Sequence, residues 1–244
     1  MKRTLVGMLA GALVISSLPV MGFGQEAGDI MNRMIEAQGG RKVLEALKDT
    51  TISGTMELIQ QGMNATMTMY QKEPNMMRMD IEIMGMVITQ AFDGQKGWFL
   101  NPQTGAAQDM DENMNKEFKR QALGNDSLLN PAKYGISYAY MGKEKVGDKE
   151  CLVLEQTMSD GHKSTLYLDP DTYLMAQSKT TSLSQTGGGE VLSETIFGDY
   201  SKEGDVLVAH SMTIMQDGAE FARMTLTKVT YNSGLEDSLF QMTK

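Results

Sequence analysis

Thioether side chains are the residues of this sequence best suited to chemistry, and they recur in pairs. Within each pair the two methionines are separated by one residue, and soft thioethers are ligands that select Cu(I). The pairs are Met67 with Met69, Met77 with Met79, and Met84 with Met86. They lie among isoleucines rather than beside histidines, so a shared strand face explains the spacing better. Copper binding is kept as an alternative, and we expect neither a metal site nor a cofactor.

Residues for catalysis are harder to find. The two histidines, His162 and His210, lie far apart in the sequence, and there is no Gly-x-Ser-x-Gly elbow, phosphate loop or His-Glu-x-x-His helix. Asp169 and Asp171 flank Pro170 in a tight turn, where carboxylates usually accept hydrogen bonds from backbone amides. Acid–base catalysis would also need a cleft that positions these groups. The sequence therefore predicts no catalytic residue, and we expect the protein not to be an enzyme.

The methionines also follow a pattern that predicts strands. The chain has 23 methionines in 244 residues, and nine of them lie between Met56 and Met86. Apolar and polar residues alternate in 63–69 and again in 77–83, which places the methionines on one face of each strand. Methionine could simply fill a half-buried core. Its flexible, polarisable side chain also suits a surface that binds apolar ligands of varied shape. We therefore predict a binding face lined by Met67, Met69, Met77, Met79, Ile81, Ile83, Phe92 and Trp98.

The rest of the chain after residue 50 predicts a single antiparallel sheet. Turn signals such as Asp93-Gly94 and Asp217-Gly218 separate short alternating segments. No segment has the pattern of a crossover helix, which parallel strands would require. The fold class is therefore mainly β, with one large curled antiparallel sheet. The predicted strands are 50–60, 63–72, 76–84, 86–93, 97–101, 136–142, 150–158, 163–169, 172–183, 190–200, 206–216 and 219–232.

Two helical segments are predicted beside this sheet. The N-terminal one, Ile30 to Leu47, should form two pieces joined at Gly39-Gly40. The second is a short amphipathic helix over 109–123, with Asp109 or Asp111 as its N-cap. We expect both helices to cover the concave apolar face of the sheet. The mid-chain helix would add Met110, Met114 and Phe118 to the binding face.

The first 24 residues have the composition of a cleaved signal peptide. Lys2 and Arg3 precede an apolar stretch from Leu5 to Val20, and small residues at positions 22 and 24 favour cleavage before residue 25. The alternative is an uncleaved anchor, but the apolar stretch is short for the ~20 residues that cross a bilayer. We therefore expect a soluble periplasmic protein whose residues 25–244 form one domain.

The net charge restricts the classes of partner, and the single cysteine restricts the thiol chemistry of the protein. Without residues 1–24 the formal charge is 20 minus 31, or −11, which argues against nucleic acid and against electrostatic docking on anionic lipid. The single cysteine, Cys151, lies in the apolar run Cys151-Leu152-Val153-Leu154, which predicts a buried, unreactive thiol. We expect a monomer.

Several short motifs resemble the outer-membrane lipoprotein carrier and sorting family, the LolA/LolB-like superfamily. They are Lys72-Glu73-Pro74-Asn75-Met76, the segment 92–102 with Asp93-Gly94 and Trp98-Phe99-Leu100-Asn101-Pro102, the segment 167–173, and Asp237-Ser238-Leu239-Phe240. The resemblance implies a half-open antiparallel barrel, with helices over a concave face that receives acyl chains. One position departs from the family: the arginine before the Pro-Asn turn, which ties the lid to the barrel, is Glu73 here. A carboxylate cannot donate hydrogen bonds, and Arg78 is the nearest basic residue that could replace it.

Together these observations predict an exported carrier or sensor that binds lipid, or the acyl chains of lipoproteins, in a methionine-lined half-barrel. Two alternatives remain. The same fold could serve as a periplasmic regulatory module that binds a membrane-protein partner, or the Met-x-Met pairs could bind Cu(I).

Overall fold

A computed structural model describes residues 23–102, 104–183 and 189–242, and most of these residues form one sheet. Its strands are β1 (Asp49–Leu58), β2 (Met63–Lys72), β3 (Met76–Ile83), β4 (Met86–Phe92), β5 (Gly97–Leu100), β6 (Ala107–Asp109), β7 (Ser137–Val146), β8 (Lys149–Thr157), β9 (Lys163–Leu168), β10 (Met175–Leu183), β11 (Glu190–Glu203), β12 (Val206–Gln216) and β13 (Ala219–Tyr231). Their order in the sheet is β6-β5-β4-β3-β2-β1-β13-β12-β11-β10-β9-β8-β7. All pairs are antiparallel. This confirms the prediction of one large antiparallel sheet that does not close.

Short helices accompany the sheet. They are α1 (Phe23–Ala37), α2 (Arg41–Ala46), α3 (Glu112–Gln121), α4 (Asn125–Leu129) and two 3-10 turns, Pro131–Tyr134 and Asp237–Leu239. The predicted break between α1 and α2 falls at Gly39, whose φ is +132°. A Cβ there would lie 2.5 Å from the backbone oxygen of Asp205, so only glycine allows the α1–α2 corner to lie this close to the loop between β11 and β12.

One face of the sheet carries α1 and α3, and we call it the inner face. Ile30, Met31 and Met34 of α1 pack on Leu154 and Leu166 of β8 and β9. Phe118 of α3 packs on Met77 and Phe92 of β3 and β4. Cross-strand partners share a face. Followed from pair to pair between β9 and β3, the register places Leu166 and Met77 on the same side of the sheet. Both predicted helices therefore lie on the same, inner face.

The sheet opens between β12 and β13 at one end. Their pairing begins at Ser211 and Thr225, so the first residues of β12 pair with β11 alone. The N–H of Leu207 donates instead to the carbonyl of Gln38, at 3.0 Å. Leu44 and Leu47 pack against Val206 at this opening. The α1–α2 corner and α2 thus close the end where the two strands separate.

The opposite, outer face is covered over β2, β3 and β5 by residues 232–240, which we call the C-terminal strap. Trp98 Nε1 donates to the carbonyl of Phe240 at 2.7 Å, and Arg78 Nη1 donates to the carbonyl of Leu239 at 3.1 Å. Lys72 Nζ lies 2.6 Å from an oxygen of Asp237. Three of the motifs that resemble the carrier family therefore meet here, which explains why they identify the fold.

The structure adds β6, α4 and the two 3-10 turns to the prediction, and it changes the start of both predicted helical segments. Helix α1 begins at Phe23 rather than at Ile30. Strand β6 and helix α4, of three and five residues, are too short to produce a periodic sequence pattern. Helix α3 begins at Glu112 rather than at 109, because Ala107–Asp109 pairs with β5. Asp111 is the N-cap, and its side chain accepts from the N–H of Met114 at 2.9 Å. Residues 1–22 of the predicted signal peptide, and residues 184–188 of the glycine-rich hairpin tip, lie outside the described residues.

Candidate functional site

Seven of the predicted binding residues come together on the inner face because of strand alternation. In the β2–β3 register Met67 is opposite Ile81, and Met69 is opposite Met79. Met77 and Ile83 follow at the same two-residue spacing in β3. Phe92 of β4 is opposite Met77 and so shares this face. The predicted apolar stripe is therefore a single surface across β2, β3 and β4.

This surface continues over strands for which the sequence analysis named no binding residue. Met56 of β1 is opposite Met224 of β13, which is opposite Met212 of β12. Met212 is in turn opposite Phe197 of β11. We call these four side chains the central row. Alternation within each strand could have indicated these residues. Only the register shows that β1, which is distant in sequence, aligns its methionine with those of the consecutive strands β11 to β13.

Exposure divides the inner face into a sealed part and an open part. Beneath α3, Phe92 is 0% exposed and Met77 is 2% exposed. Met79, Ile81 and Ile83, like all four members of the central row, stay partly exposed. An apolar sheet face that no helix seals is a candidate binding surface for an apolar ligand.

Helix α3 crosses from one side of the half-barrel to the other. Met110, Met114 and Phe118 pack in the cluster with Phe92, as predicted for a covering helix. Near its C-terminus, Arg120 lies 2.6 Å from Glu117 and 2.9 Å from Asp160, in the turn between β8 and β9. Burial lowers the pKa of Arg120, but its hydrogen bonds to both carboxylates raise it above the ordinary value. The helix is thus held at both ends, by apolar packing on one side and by charge on the other.

Glu73, the position that departs from the family pattern, connects the β2–β3 turn to α4. Its carboxylate accepts from the backbone N–H of Asn125 at 2.6 Å and of Asp126 at 3.3 Å. Burial raises the pKa of this carboxyl group, against the effect of those hydrogen bonds. A Cβ on Gly124 would collide with this carboxylate, so a larger residue there would displace the Glu73 side chain from its two donors. Glu73 therefore connects the β2–β3 turn to α4 as a hydrogen-bond acceptor.

Two residues do not have the positions expected of them. Trp98 follows Gly97, the cross-strand partner of Phe92, so its side chain lies on the outer face under the C-terminal strap and does not line the inner surface. Arg78 also lies on the outer face. It pairs with Asp80 at 3.1 Å, so it does not replace the family arginine. In both cases the two-residue period of the strand assigns the face.

Several residues with other chemistry lie apart from this surface. Cys151 is buried beside Val153 and Tyr167, and burial raises the pKa of its thiol, as an unreactive cysteine requires. Asp169 accepts from the N–H groups of Asp171 and Thr172, the predicted turn role. Within the described ranges, no group of three or more His, Cys, Asp or Glu side chains could hold a metal ion. No described helix is long and apolar enough to span a bilayer.

Two open clefts lie at the margins of the sheet, and both are lined by a mixture of charged and uncharged residues. One, of about 330 Å³, lies between the α1–α2 corner and the start of β12 and is lined by Glu36, Ala37, Gly39, Val43, Lys202, Asp205 and Leu207. The other, of about 250 Å³, runs beside α3 and includes Lys116, Glu117 and Arg120. Charged walls do not suit an acyl chain. The open inner face is the better candidate.

Comparison with solved structures assigns the fold of this chain. No family model matches the sequence, and no curated protein matches it. A domain from Vibrio parahaemolyticus assigned to outer membrane lipoprotein sorting has a similar structure, with 15% identity, a TM-score of 0.60, and coverage of 89% of this chain and 97% of that one. A DUF1329 family protein from Desulfovibrio piger has 16% identity, a TM-score of 0.60 and the same coverage. A LolA superfamily protein from Nitrosomonas europaea has 10% identity and a TM-score of 0.58, covering 88% and 97%. The chain therefore has the LolA-like fold.

Proposed function

We propose that this protein is an exported carrier that holds the acyl chain of a lipid or of a lipidated protein on the inner face of its half-barrel. The observation that carries the proposal is the central row, four large apolar side chains aligned across adjacent strands and left partly exposed. A continuous apolar surface on a soluble domain marks an interaction site. Methionine supplies most of this surface and adapts to flexible chains.

Two further observations support an acyl chain as the occupant. The N-terminal sequence has the pattern of an export signal, which would bring the protein to a compartment bounded by membranes. One of the structures with the same fold belongs to a domain assigned to outer membrane lipoprotein sorting. That likeness concerns the fold and enters here as an analogy. The strongly acidic composition disfavours nucleic acid as the ligand.

Two charges placed in the open part of the inner face should weaken binding strongly without unfolding the protein. We expect Met79→Glu combined with Met224→Glu to weaken binding of a fluorescent fatty acid roughly 100-fold, because a carboxylate facing an acyl chain costs about 3 kcal/mol. In the wild type, phospholipid should displace the probe. Fluorescence titration measures both effects.

The matched control is Met141→Glu, the same substitution at a methionine that is 60% exposed on the edge strand β7. This variant should bind the probe as the wild type does. All variants should keep the circular dichroism spectrum and a cooperative melt. If the double variant unfolds, Met79 and Met224 belong to a sealed core; if it binds normally, the inner face is not the site. Either outcome contradicts the proposal.

A further inference from the structure

A hydrogen-bonded chain of Ser201, His210 and Glu203 joins β11 to β12 and plays no part in the proposed carrier function. Ser201 Oγ lies 2.6 Å from His210 Nδ1, and His210 Nε2 lies 2.9 Å from Glu203 Oε1. Serine and carboxylate therefore contact opposite nitrogens of one imidazole ring. This is the arrangement of a hydroxyl, a general base and the group that orients the base.

The chain lies on the inner face, beside the central row. His210 precedes Met212 by two residues in β12, so both side chains are on the same side of the sheet. Ser201 is opposite Val208, and Glu203 is opposite Val206, two residues of β12 that share the face of His210. A hydroxyl is thus placed at the margin of a surface proposed to hold acyl chains.

Glu203 fixes the tautomer of His210 and therefore the direction of the hydrogen bond between His210 and Ser201. An ionised carboxylate only accepts hydrogen bonds, so the proton of a neutral His210 is on Nε2. Nδ1 then has a free lone pair and accepts the O–H of Ser201. The serine oxygen keeps its own lone pairs available to a ligand. The side chain of His210 is 18% exposed and that of Glu203 is 32% exposed, whereas Ser201 is exposed, so the base is shielded and the hydroxyl is accessible.

We propose that Ser201 is a catalytic nucleophile that cleaves carboxylic esters of apolar acyl groups bound on the inner face. The choice of acyl group rests on the proposed function. Ser201 Oγ bonds to the carbonyl carbon while its proton passes to His210 Nδ1, and the departing alcohol oxygen takes that proton. Water then gives a proton to Nδ1 as its oxygen attacks the acyl-serine. Ser201 recovers the proton, and the carboxylic acid leaves. Glu203 is a positioning residue that stabilises the charged ring.

The other histidine offers an internal comparison. Thr180 Oγ1 lies 2.7 Å from His162 Nε2, but it also lies 3.0 Å from Ser164 Oγ and 3.3 Å from the carbonyl of Lys163. No carboxylate within the described residues is hydrogen-bonded to the His162 ring. This hydroxyl has competing partners, and its histidine has no orienting group. Thr180→Ala is therefore a matched control that removes a histidine-bound hydroxyl outside the proposed centre.

The test treats the full chain with a long-chain fluorophosphonate, which phosphonylates activated serines, and with p-nitrophenyl octanoate. We expect one label per chain, located on Ser201 by peptide mass spectrometry. Ser201→Ala should remove labelling and hydrolysis. His210→Gln should slow both roughly 100-fold or more. Glu203→Gln should slow both, with partial recovery in Glu203→Asp because the carboxylate is restored. Thr180→Ala should react as the wild type does.

An unlabelled wild-type protein, a label on another serine, or equal labelling of the wild type and His210→Gln would each overturn the inference. The first and second of these need no variant to fold. Fatty-acid binding measured on the same samples separates the two proposals. Fatty-acid binding without labelling would support the carrier proposal and contradict the catalytic centre. Labelling of Ser201 without fatty-acid binding would support the catalytic centre and contradict the carrier proposal.

Discussion

Replacing Phe92 by alanine should lower the free energy of unfolding by about 3–5 kcal/mol, the usual cost of removing a buried aromatic ring. Phe92 is 0% exposed and lies in the cluster formed by Met77, Met110, Phe118 and Ala122. The cavity would open at the junction of α3 with the sheet, where a short helix cannot readily collapse to fill it. Urea unfolding followed by circular dichroism measures the loss.

Phe99→Ala is the matched control for this prediction. Phe99 packs against the same cluster but is only partly buried, so its removal should cost clearly less than that of Phe92. Amide hydrogen exchange should show faster exchange in α3 of the Phe92 variant, because the helix loses the ring on which it packs. A loss below about 1 kcal/mol would mean that α3 does not seal this part of the inner face.

Replacing Asp49 by alanine should have the second largest effect, a loss of about 3 kcal/mol at pH 7. Asp49 is 5% exposed, and its carboxylate accepts from the N–H of Ser233 at 2.7 Å, its Oγ at 2.9 Å and the N–H of Gly234 at 3.0 Å. Without the carboxylate these donors would be left unpaired at the start of the C-terminal strap. The strap would then keep only the hydrogen bonds of Asn232 at its start and the contacts of its later residues.

The same site predicts a pH dependence. Burial alone would raise the pKa of Asp49, but hydrogen bonds from residues 233–235 lower it below its ordinary value of 3.8. A carboxyl group whose pKa is lower in the folded state stabilises the protein above its unfolded pKa and loses that contribution as the pH falls. The difference in unfolding free energy between wild type and Asp49→Ala should therefore shrink on acidification below about pH 4.

Asp237→Ala is the control within the same strap. Asp237 is hydrogen-bonded to Lys72 at 2.6 Å, but its side chain is 59% exposed, and exposed ion pairs contribute at most about 1 kcal/mol. If the Asp49 and Asp237 variants lose similar stability at every pH, the strap is not anchored through Asp49.

Much of this fold could be predicted from the sequence because alternation is a local signal. A strand and its apolar face can be recognised within seven residues, from the alternation of Met77, Met79, Ile81 and Ile83. The capping role of Asp111 is equally local. The motifs that resemble the carrier family also indicated the fold, because they contain residues such as Trp98 and Phe240 that hold the strap to the outer face. For the same reason they were a poor guide to the binding surface, and Trp98 was wrongly placed on it.

What could not be predicted depends on non-local pairing. The central row joins β1 to β13, β12 and β11 through a register that no single strand encodes. Ser201 and His210 lie on one hairpin, but their contact depends on the register in which β11 pairs with β12. Glu73 could be recognised as a departure from the family, but a sequence does not show that its carboxylate accepts from the backbone of α4. Helix α4 itself is too short to have a periodic pattern.

The most direct test of the carrier proposal is native mass spectrometry of the wild-type protein, measured as recovered from its host cells and again after incubation with phospholipid vesicles. We predict one non-covalently bound lipid per chain, present on recovery or acquired from the vesicles, and released when the protein is denatured. A protein that shows only the mass of the chain itself under both conditions would contradict the proposal that its inner face carries an acyl chain.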